Sequence, residues 1–424
     1  MKTACEVLVA GGGSAGLAAA VSAARAGAET LLIERAGFLG GMGTAALVHT
    51  LCGLYFVREE EGAVFANPGF AETFARRLIA AGGAGPPVRM GRLDVLPHDP
   101  AALALLADQI VRETPRLRVW LHTELIAATE NRGNWHLEAV CRGVRHHIET
   151  RAVVDASGDA ALATVAGLAT VQEPPERLQR PAYVVLLGGV GNGALLESGR
   201  LRLAHALTQA VKQGGLPRAA LGAGFRAGRQ EGTAFVTIDL AGGGTEAEWD
   251  PFSPDALAAV EQEGRALAAR LMAFLRAQVA GFANAFVAAW PARAGVRESR
   301  RIVGRYELTG EDIRTGARFD DGIAWASWPM ETRERATGPR WVFAEENRAA
   351  QIPLRALSHR DAPRFFAAGR CLSASHDALA SVRVMGTCLA TGEAAGLAAA
   401  WHNEAVDWNS LAHRINASRT LLNP

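Results

Sequence analysis

Six consecutive residues near the start of the chain, Gly11-Gly12-Gly13-Ser14-Ala15-Gly16, carry the spacing G-x-G-x-x-G. Each glycine has its own task if the group they meet is a pyrophosphate. Gly11 permits a tight turn out of a strand, Gly13 brings the backbone to the phosphates with no Cβ between, and Gly16 lets a helix pack closely on that strand. The helix N-terminus then offers free N–H groups and its positive dipole end to the anion, with Ser14 and Ala15 beside it. Glu34 stands 18 residues beyond Gly16, where a carboxylate can accept hydrogen bonds from an adenosine ribose and would repel a 2′-phosphate. These residue types at this spacing predict dinucleotide binding and disfavour an NADP-like ligand.

A glycine-rich turn on its own would be weak evidence, so the flanking elements matter. Glu6-Val7-Leu8-Val9-Ala10 reads as a buried parallel strand, Leu17 to Ala26 as an alanine-rich helix, and Glu29 to Ile33 as a second strand ending at Glu34. The run from Glu34 to Thr44 then places four glycines in seven residues. A domain that binds only NAD usually proceeds directly to its next helix. A Gly-Gly loop ending in a hydroxyl suits a cofactor that continues past the pyrophosphate, through ribityl, to a flavin. Arg35, Gly40, Gly41, Met42 and Thr44 are candidate contacts on that path.

The stretch Glu34 to Thr44 resembles the second fingerprint of the FAD-dependent oxidoreductases that share the glutathione-reductase-like, two-dinucleotide-binding-domain fold. Three further segments are similar to the same family: Val153-Val154-Asp155-Ala156-Ser157-Gly158-Asp159, Gly295 to Gly304, and Phe366 to Ala400 with Ala368-Gly369-Arg370-Cys371-Leu372-Ser373 and Gly386 to Gly392. Residues near 170 to 290 match poorly. The resemblance implies one non-covalently held FAD per chain, with Gly158, Asp159, Gly369, Arg370, Gly386 and Thr387 added to its contacts. It implies an α/β fold: a Rossmann-like FAD-binding domain of parallel sheet plus β-meander, discontinuous over 1–55, 96–172 and 351–424. A second, α+β substrate domain would take 173–350, with 56–95 as an excursion. The residues from Thr387 to Trp401 read as a helix whose threonine could cap it, and by resemblance its N-terminus faces the pyrimidine end of the flavin.

Two related chemistries are disfavoured. The run Gly188-Gly189-Val190-Gly191-Asn192-Gly193 after the strand Tyr183 to Leu187 partly mimics a second nucleotide fingerprint, yet Gln209 and Gln213 stand where an acid belongs. We therefore expect no bound NAD(P)H. The cysteine pair of the disulfide reductases is also missing, since Ala45-Ala46-Leu47-Val48-His49 follows Thr44 and Cys52 stands alone.

The rest of the chain sets outer limits. Its 424 residues suggest roughly two to three domains. Balanced charge, 44 basic against 43 acidic residues, argues against a nucleic-acid partner. No stretch has the length and apolarity of a membrane helix, five scattered cysteines form neither a CxxC pair nor a zinc-type spacing, and no metal site is expected. A reducing cytoplasm fits best. Pro97 to Arg112 has helical periodicity with Asp99 as cap, Leu117 to Arg151 reads as strands and a hairpin, and Pro254 to Ala280 is the longest helix. Trp325 and Trp328 are read as packing rather than as a substrate box.

The protein must supply a proton acceptor and hold the substrate while flavin takes the electrons. His49 and Tyr55 follow the Gly-Gly loop, Arg297 and Arg300 sit in the Gly295 segment, and His376 and Arg383 precede the last long helix. His49 and His376 are candidate bases; Arg297 and Arg383 are candidates for binding a substrate carboxylate or stabilising flavin charge. The alternatives are a hydrogen-bonded turn at His376-Asp377 and structural ion pairs for the arginines. The expected function is two-electron oxidation of a small organic substrate by hydride transfer to flavin N5, with an unidentified acceptor or oxygen. A flavin monooxygenase is the alternative, and a tRNA-modifying flavoprotein is a second one that the charge balance opposes.

Overall fold

Strand β1 (Lys2–Ala10), helix α1 (Ser14–Arg25) and strand β2 (Thr30–Ile33) open the chain in a computed structural model that describes residues 2–240, 249–334, 338–401 and 407–422. Strand β1 begins earlier than its apolar run because Lys2 to Cys5 pair with His147 to Thr150. Helix α1 likewise starts at Ser14, directly after Gly13. Helix α2 (Pro100–Arg112) starts where expected: the Asp99 carboxylate accepts from the N–H groups of Ala101 and Ala102 at 2.7 and 3.1 Å. It buries Leu103, Leu106, Ala107 and Ile110.

Strands β3 (Leu117–Trp120), β4 (Thr123–Asn131), β5 (Asn134–Cys141) and β6 (Val144–Asp155) complete the first sheet, in the order β3-β2-β1-β6-β5-β4. The first four in that order are parallel neighbours, and β6, β5 and β4 form an antiparallel meander. Strands β7 (Ala182–Gly188), β8 (Gly224–Ala227), β9 (Ala234–Asp239) and β10 (Phe286–Ala289) form a separate antiparallel sheet ordered β8-β9-β7-β10. Helix α3 (Pro254–Gln278) covers it, packing Val260, Leu267, Leu271 and Leu275 with Tyr183, Val185, Val236 and Ile238 in a core of their own. The glycines after β7 serve packing: a Cβ on Gly189 would lie 2.3 Å from the Asn284 carbonyl oxygen, and the Gly191 N–H donates to Gly281.

The C-terminal segment returns to the first sheet. Strand β11 (Phe365–Ala367) lies parallel to β6, and helices α4 (His376–Val382) and α5 (Met385–Trp401) follow. Helix α5 begins two residues before Thr387 because the turn after α4 leads straight into it, with the Cys388 N–H on the Val384 carbonyl. Thr387 is thus inside the first turn, fully buried, and not at a cap position.

Helix α5 packs on α1 with no side chain between the backbones. A Cβ on Gly392 would come within 2.1 Å of the Ala15 carbonyl oxygen, and one on Gly396 within 2.1 Å of that of Ala19. Real Cβ atoms cannot approach so closely, so these glycines bring the two ends of the sequence together. Forcing extra carbons into such a contact costs about 1–3 kcal/mol. We expect Gly396→Val to lower the unfolding free energy by at least that amount in urea titration, whereas Gly224→Val, on the edge strand β8 with no atom nearer than 4.0 Å to the added Cβ, should change it by no more than about 0.5 kcal/mol.

Candidate active site

The β1–α1 turn, the loop after β2, the end of β6 and the start of α5 border one cleft of about 340 Å³. Gly11, Gly13, Ser14, Ala15, Glu34, Arg35, Gly41, Met42, Gly158, Asp159, Gly369 and Arg370 line its first part. At Gly13 the backbone has φ −69° and ψ −173°, values open to any residue, and an added Cβ would meet protein only at Gly41 Cα, 3.7 Å away. The protein therefore leaves the space over Gly13 free. No side chain caps α1 and its first turn carries no acid, so that helix end can take an anion. Glu34 is nearly buried; its carboxylate accepts from the Gly12 N–H at 2.7 Å and the Ala36 N–H at 2.8 Å. Those bonds aim the carboxylate and leave lone pairs for a ligand hydroxyl.

Several expected contacts shape this cradle without lining it. Gly16 lies against the Gly11 carbonyl, Gly40 donates to Gly12, and the Thr44 hydroxyl donates to Leu39 at 2.9 Å, closing the Gly-Gly loop. Gly386 donates to the Cys52 carbonyl, and its Cα sits against Gly53 and Leu54. Thr387 is likewise absent from the lining. Opposite the phosphate-type turn, Asp159 pairs with Arg370 at 2.8 Å and Arg35 at 3.6 Å. Burial opposes the Asp159 charge, but these guanidiniums outweigh it and hold its pKa below the ordinary value. Arg293, which the sequence reading missed, also lines this part.

The second part of the cleft lies against the β7–β9 sheet, which contributes Ala182, Val184 and Thr237. His49 lines it with its ring stacked on Phe235, centroids 4.2 Å apart. Burial, reinforced by the Arg226 charge, lowers its pKa to about 3. The ring is therefore neutral, and the 3.2 Å contact of Nδ1 with the Leu47 carbonyl assigns the proton to Nδ1. The buried Nε2, which has no protein partner, is then a hydrogen-bond acceptor. Leu47 holds φ at 52°, a left-handed conformation that an L-residue keeps only against resistance.

Around His49 stand Thr50, Cys52, Arg226, Arg297, Glu331, Arg333 and Arg383. Asp239 bridges Arg297 at 2.6 Å and Arg333 at 2.7 Å, and Arg333 also holds Glu331 at 2.7 Å. Burial opposes the charges of Asp239 and Glu331, yet the facing guanidiniums keep both below the usual carboxylate range. Cys52 and Cys388 are pushed up to about 12 by burial and stay thiols.

His376 does not line the cleft. Its Nδ1 lies 2.9 Å from Glu298 and its Nε2 3.3 Å from Glu334, so both nitrogens are committed. Burial works against its charge, but Glu298 outweighs it and raises the pKa. Glu298 also binds Arg301, at 2.6 Å, which places His376 in a buried ion-pair group outside the cleft lining. Tyr55 and Arg300 are also outside the lining; Arg300 lies over the Phe252 ring at 3.7 Å.

The family model for FAD dependent oxidoreductases matches residues 6–419. The chain belongs to that family. Its cofactor is FAD, and the space left over Gly13, the uncapped α1 and the aimed Glu34 carboxylate fit such a dinucleotide. Among solved structures, a geranylgeranyl bacteriochlorophyll reductase-like protein from Thermoplasma acidophilum is similar at 14% identity, over 100% of this chain and 83% of that one, with TM-score 0.45. The p-nitrophenol 4-monooxygenase of Pseudomonas putida is similar at 11% identity, over 100% and 86%, also at 0.45. No curated protein matches the chain.

Two outcomes test this site of the oxidoreductase. Gly13→Ala should fold with stability within about 0.5 kcal/mol of the parent apoprotein and yet lose visible flavin absorbance on purification, because its methyl group enters only the ligand's space. Stability should also fall as pH drops from 7 to 5. Unfolded imidazoles take protons near a pKa of about 6.5, while burial holds folded His49 neutral to about 3 and His98 to about 4; the unfolded chain binds the extra protons. Urea titrations across that range should show a shallower decline for His98→Asn.

Proposed function

We propose that this flavoenzyme removes two electrons from a small organic substrate held in the second part of the cleft. The observation that carries the reading is the continuity of one cleft from the Glu34 carboxylate to the group around His49. When bound, FAD supplies the two-electron acceptor, taking hydride at N5. Gly11, Gly13, Ser14, Ala15, Glu34, Gly41, Met42, Asp159 and Arg370 would hold it.

His49 would orient the substrate. Its Nε2 can accept from a substrate O–H or N–H, and the Phe235 ring and the Leu47 carbonyl keep the imidazole from turning away. An imidazole with a pKa of about 3 accepts a hydrogen bond readily but does not keep a proton, so in the free site His49 positions more than it stores. Arg297, already neutralised by Asp239, would act as a positioning residue, and Arg383 as a direct contact. Cys52 and Cys388, held as thiols, are not nucleophiles here.

We assign 1–55, 96–172 and 351–424 to the FAD-binding domain and 173–350, with the 56–95 excursion, to the substrate side. The parallel order of β3, β2, β1 and β6 with an appended meander supports the glutathione-reductase-like class of fold. Five free cysteines support a reducing, cytoplasmic setting, and no described helix is long and apolar enough to cross a membrane.

The test is anaerobic. Purified holoprotein should be yellow, and its visible band should bleach with the right organic substrate and without NAD(P)H. Protein that stays colourless after FAD is added would overturn the reading. In a second, aerobic assay, NADPH and oxygen consumption coupled to substrate hydroxylation would replace it with a monooxygenase. His49→Phe, which preserves the stack on Phe235, should retain FAD and slow bleaching by about tenfold, the worth of one oriented hydrogen bond.

A further inference from the structure

The second part of the cleft holds more guanidinium than carboxylate. Arg297 and Arg333 are answered by Asp239 and Glu331. Arg226 and Arg383 are not. Among the described residues Arg226 makes one side-chain hydrogen bond, Nη1 to the Thr50 hydroxyl at 3.3 Å. Arg383 Nη2 donates to the Gln179 side chain and the Glu331 carbonyl, both at 3.1 Å, and its Nε is buried with no acceptor. Among the described residues neither has a carboxylate at ion-pair distance.

These cations converge. Arg226 binds Thr50, two residues before Cys52, and Arg383 stands three residues before Gly386, whose N–H donates to the Cys52 carbonyl. Thr50, Cys52 and both arginines line the same cleft, and the Arg226 charge also acts on His49. At Arg383 burial works against the charge, Glu331 and Glu298 favour it, and Arg297 and Arg333 repel it. Leaving a cation partly withdrawn from water without a partner is costly, and here two half-buried guanidiniums line one cleft with apolar Ala182 and Val184. Such an arrangement is stable when a ligand brings the missing negative charge. A guanidinium fork matches the two oxygens of a carboxylate.

We propose that the substrate is a carboxylic acid whose carboxylate binds Arg226 and Arg383, which sets the bond to be oxidised beside His49 Nε2. This deepens the function proposed above and rests on it. Carboxylate binding would also cancel the Arg226 repulsion at His49, so the bound substrate itself would make that imidazole a better proton acceptor.

The test uses FAD-loaded protein titrated with benzoate, succinate, benzamide and inorganic phosphate, read by perturbation of the flavin spectrum and by calorimetry. At least one carboxylate should bind with a saturable spectral change that benzamide does not give. Its affinity should fall about tenfold or more, as expected for a lost charged hydrogen bond, in both Arg226→Gln and Arg383→Gln. Arg383→Lys should recover part of that loss. FAD content and bleaching by dithionite report folding in each variant. Equal binding of benzoate and benzamide, no binding of either carboxylate, or affinities unchanged in both glutamine variants would overturn the proposal. Phosphate binding as tightly as the carboxylates would overturn the carboxylate assignment. In every one of these outcomes a yellow, reducible protein leaves the flavin reading standing, and a colourless one removes it.

Discussion

The backbone contact between α1 and α5 is the constraint on which the rest of the molecule depends. Gly392 and Gly396 let a C-terminal helix lie directly on Ala15 and Ala19. That contact carries Gly369 and Arg370 to the same cleft as the N-terminal glycines. A single side chain larger than hydrogen at either position would push the helices apart, and the cleft wall would open at its middle. The alanine-rich character of both helices follows from the same need. Small residues that lose little side-chain entropy allow close approach over several turns.

Within the cleft, burial sorts the titratable groups. It removes charge from His49, Cys52 and Cys388 but cannot remove it from arginine. The local field is therefore set by guanidiniums and by the carboxylates they hold ionised. Asp239, on a strand of the second sheet, answers Arg297 and Arg333 together. Among the described residues, Arg226 and Arg383 are then left with no carboxylate at ion-pair distance.

The cofactor end was legible in the sequence because its parts are contiguous: a strand, a glycine turn, a helix and an acid within thirty-four residues. Asp99 and the buried face of α2 were legible for the same local reason. The other end was legible only in part. His49, Arg297 and Arg383 are candidates from their segments and do line the cleft. Thr50, Arg226, Glu331 and Arg333 join them only after long-range pairing, and in a chain with two lysines and abundant arginine the sequence does not mark Arg226 or Arg333 out. His376 is a candidate base because its segment lies between the Gly369-Arg370 turn and the last long helix; its partner Glu298 lies 78 positions away in sequence. Thr387 looked like a cap because a residue type can suggest a helix start without fixing it, and the preceding turn moved the boundary.

The segment from Arg297 to Arg301 shows why a motif can be shared without touching a substrate. Its side chains reach three different parts of the molecule. Arg297 reaches Asp239 on the second sheet, Glu298 holds His376 and Arg301, and Ser299 donates to Asp159 at 2.8 Å and receives from Arg370 at 2.8 Å. One short extended stretch therefore ties the substrate-side sheet, the start of α4 and the cofactor cradle to each other. Buried ion pairs contribute little net stability once desolvation is counted, but breaking one strands its partner at a cost of about 3–5 kcal/mol. Such a strut resists relative sliding more than it strengthens the fold. The distance between a cofactor's reactive atom and a bound substrate must hold to within a fraction of an ångström, and that tolerance is the physical reason to place a rigid charged strut between the two halves of the cleft.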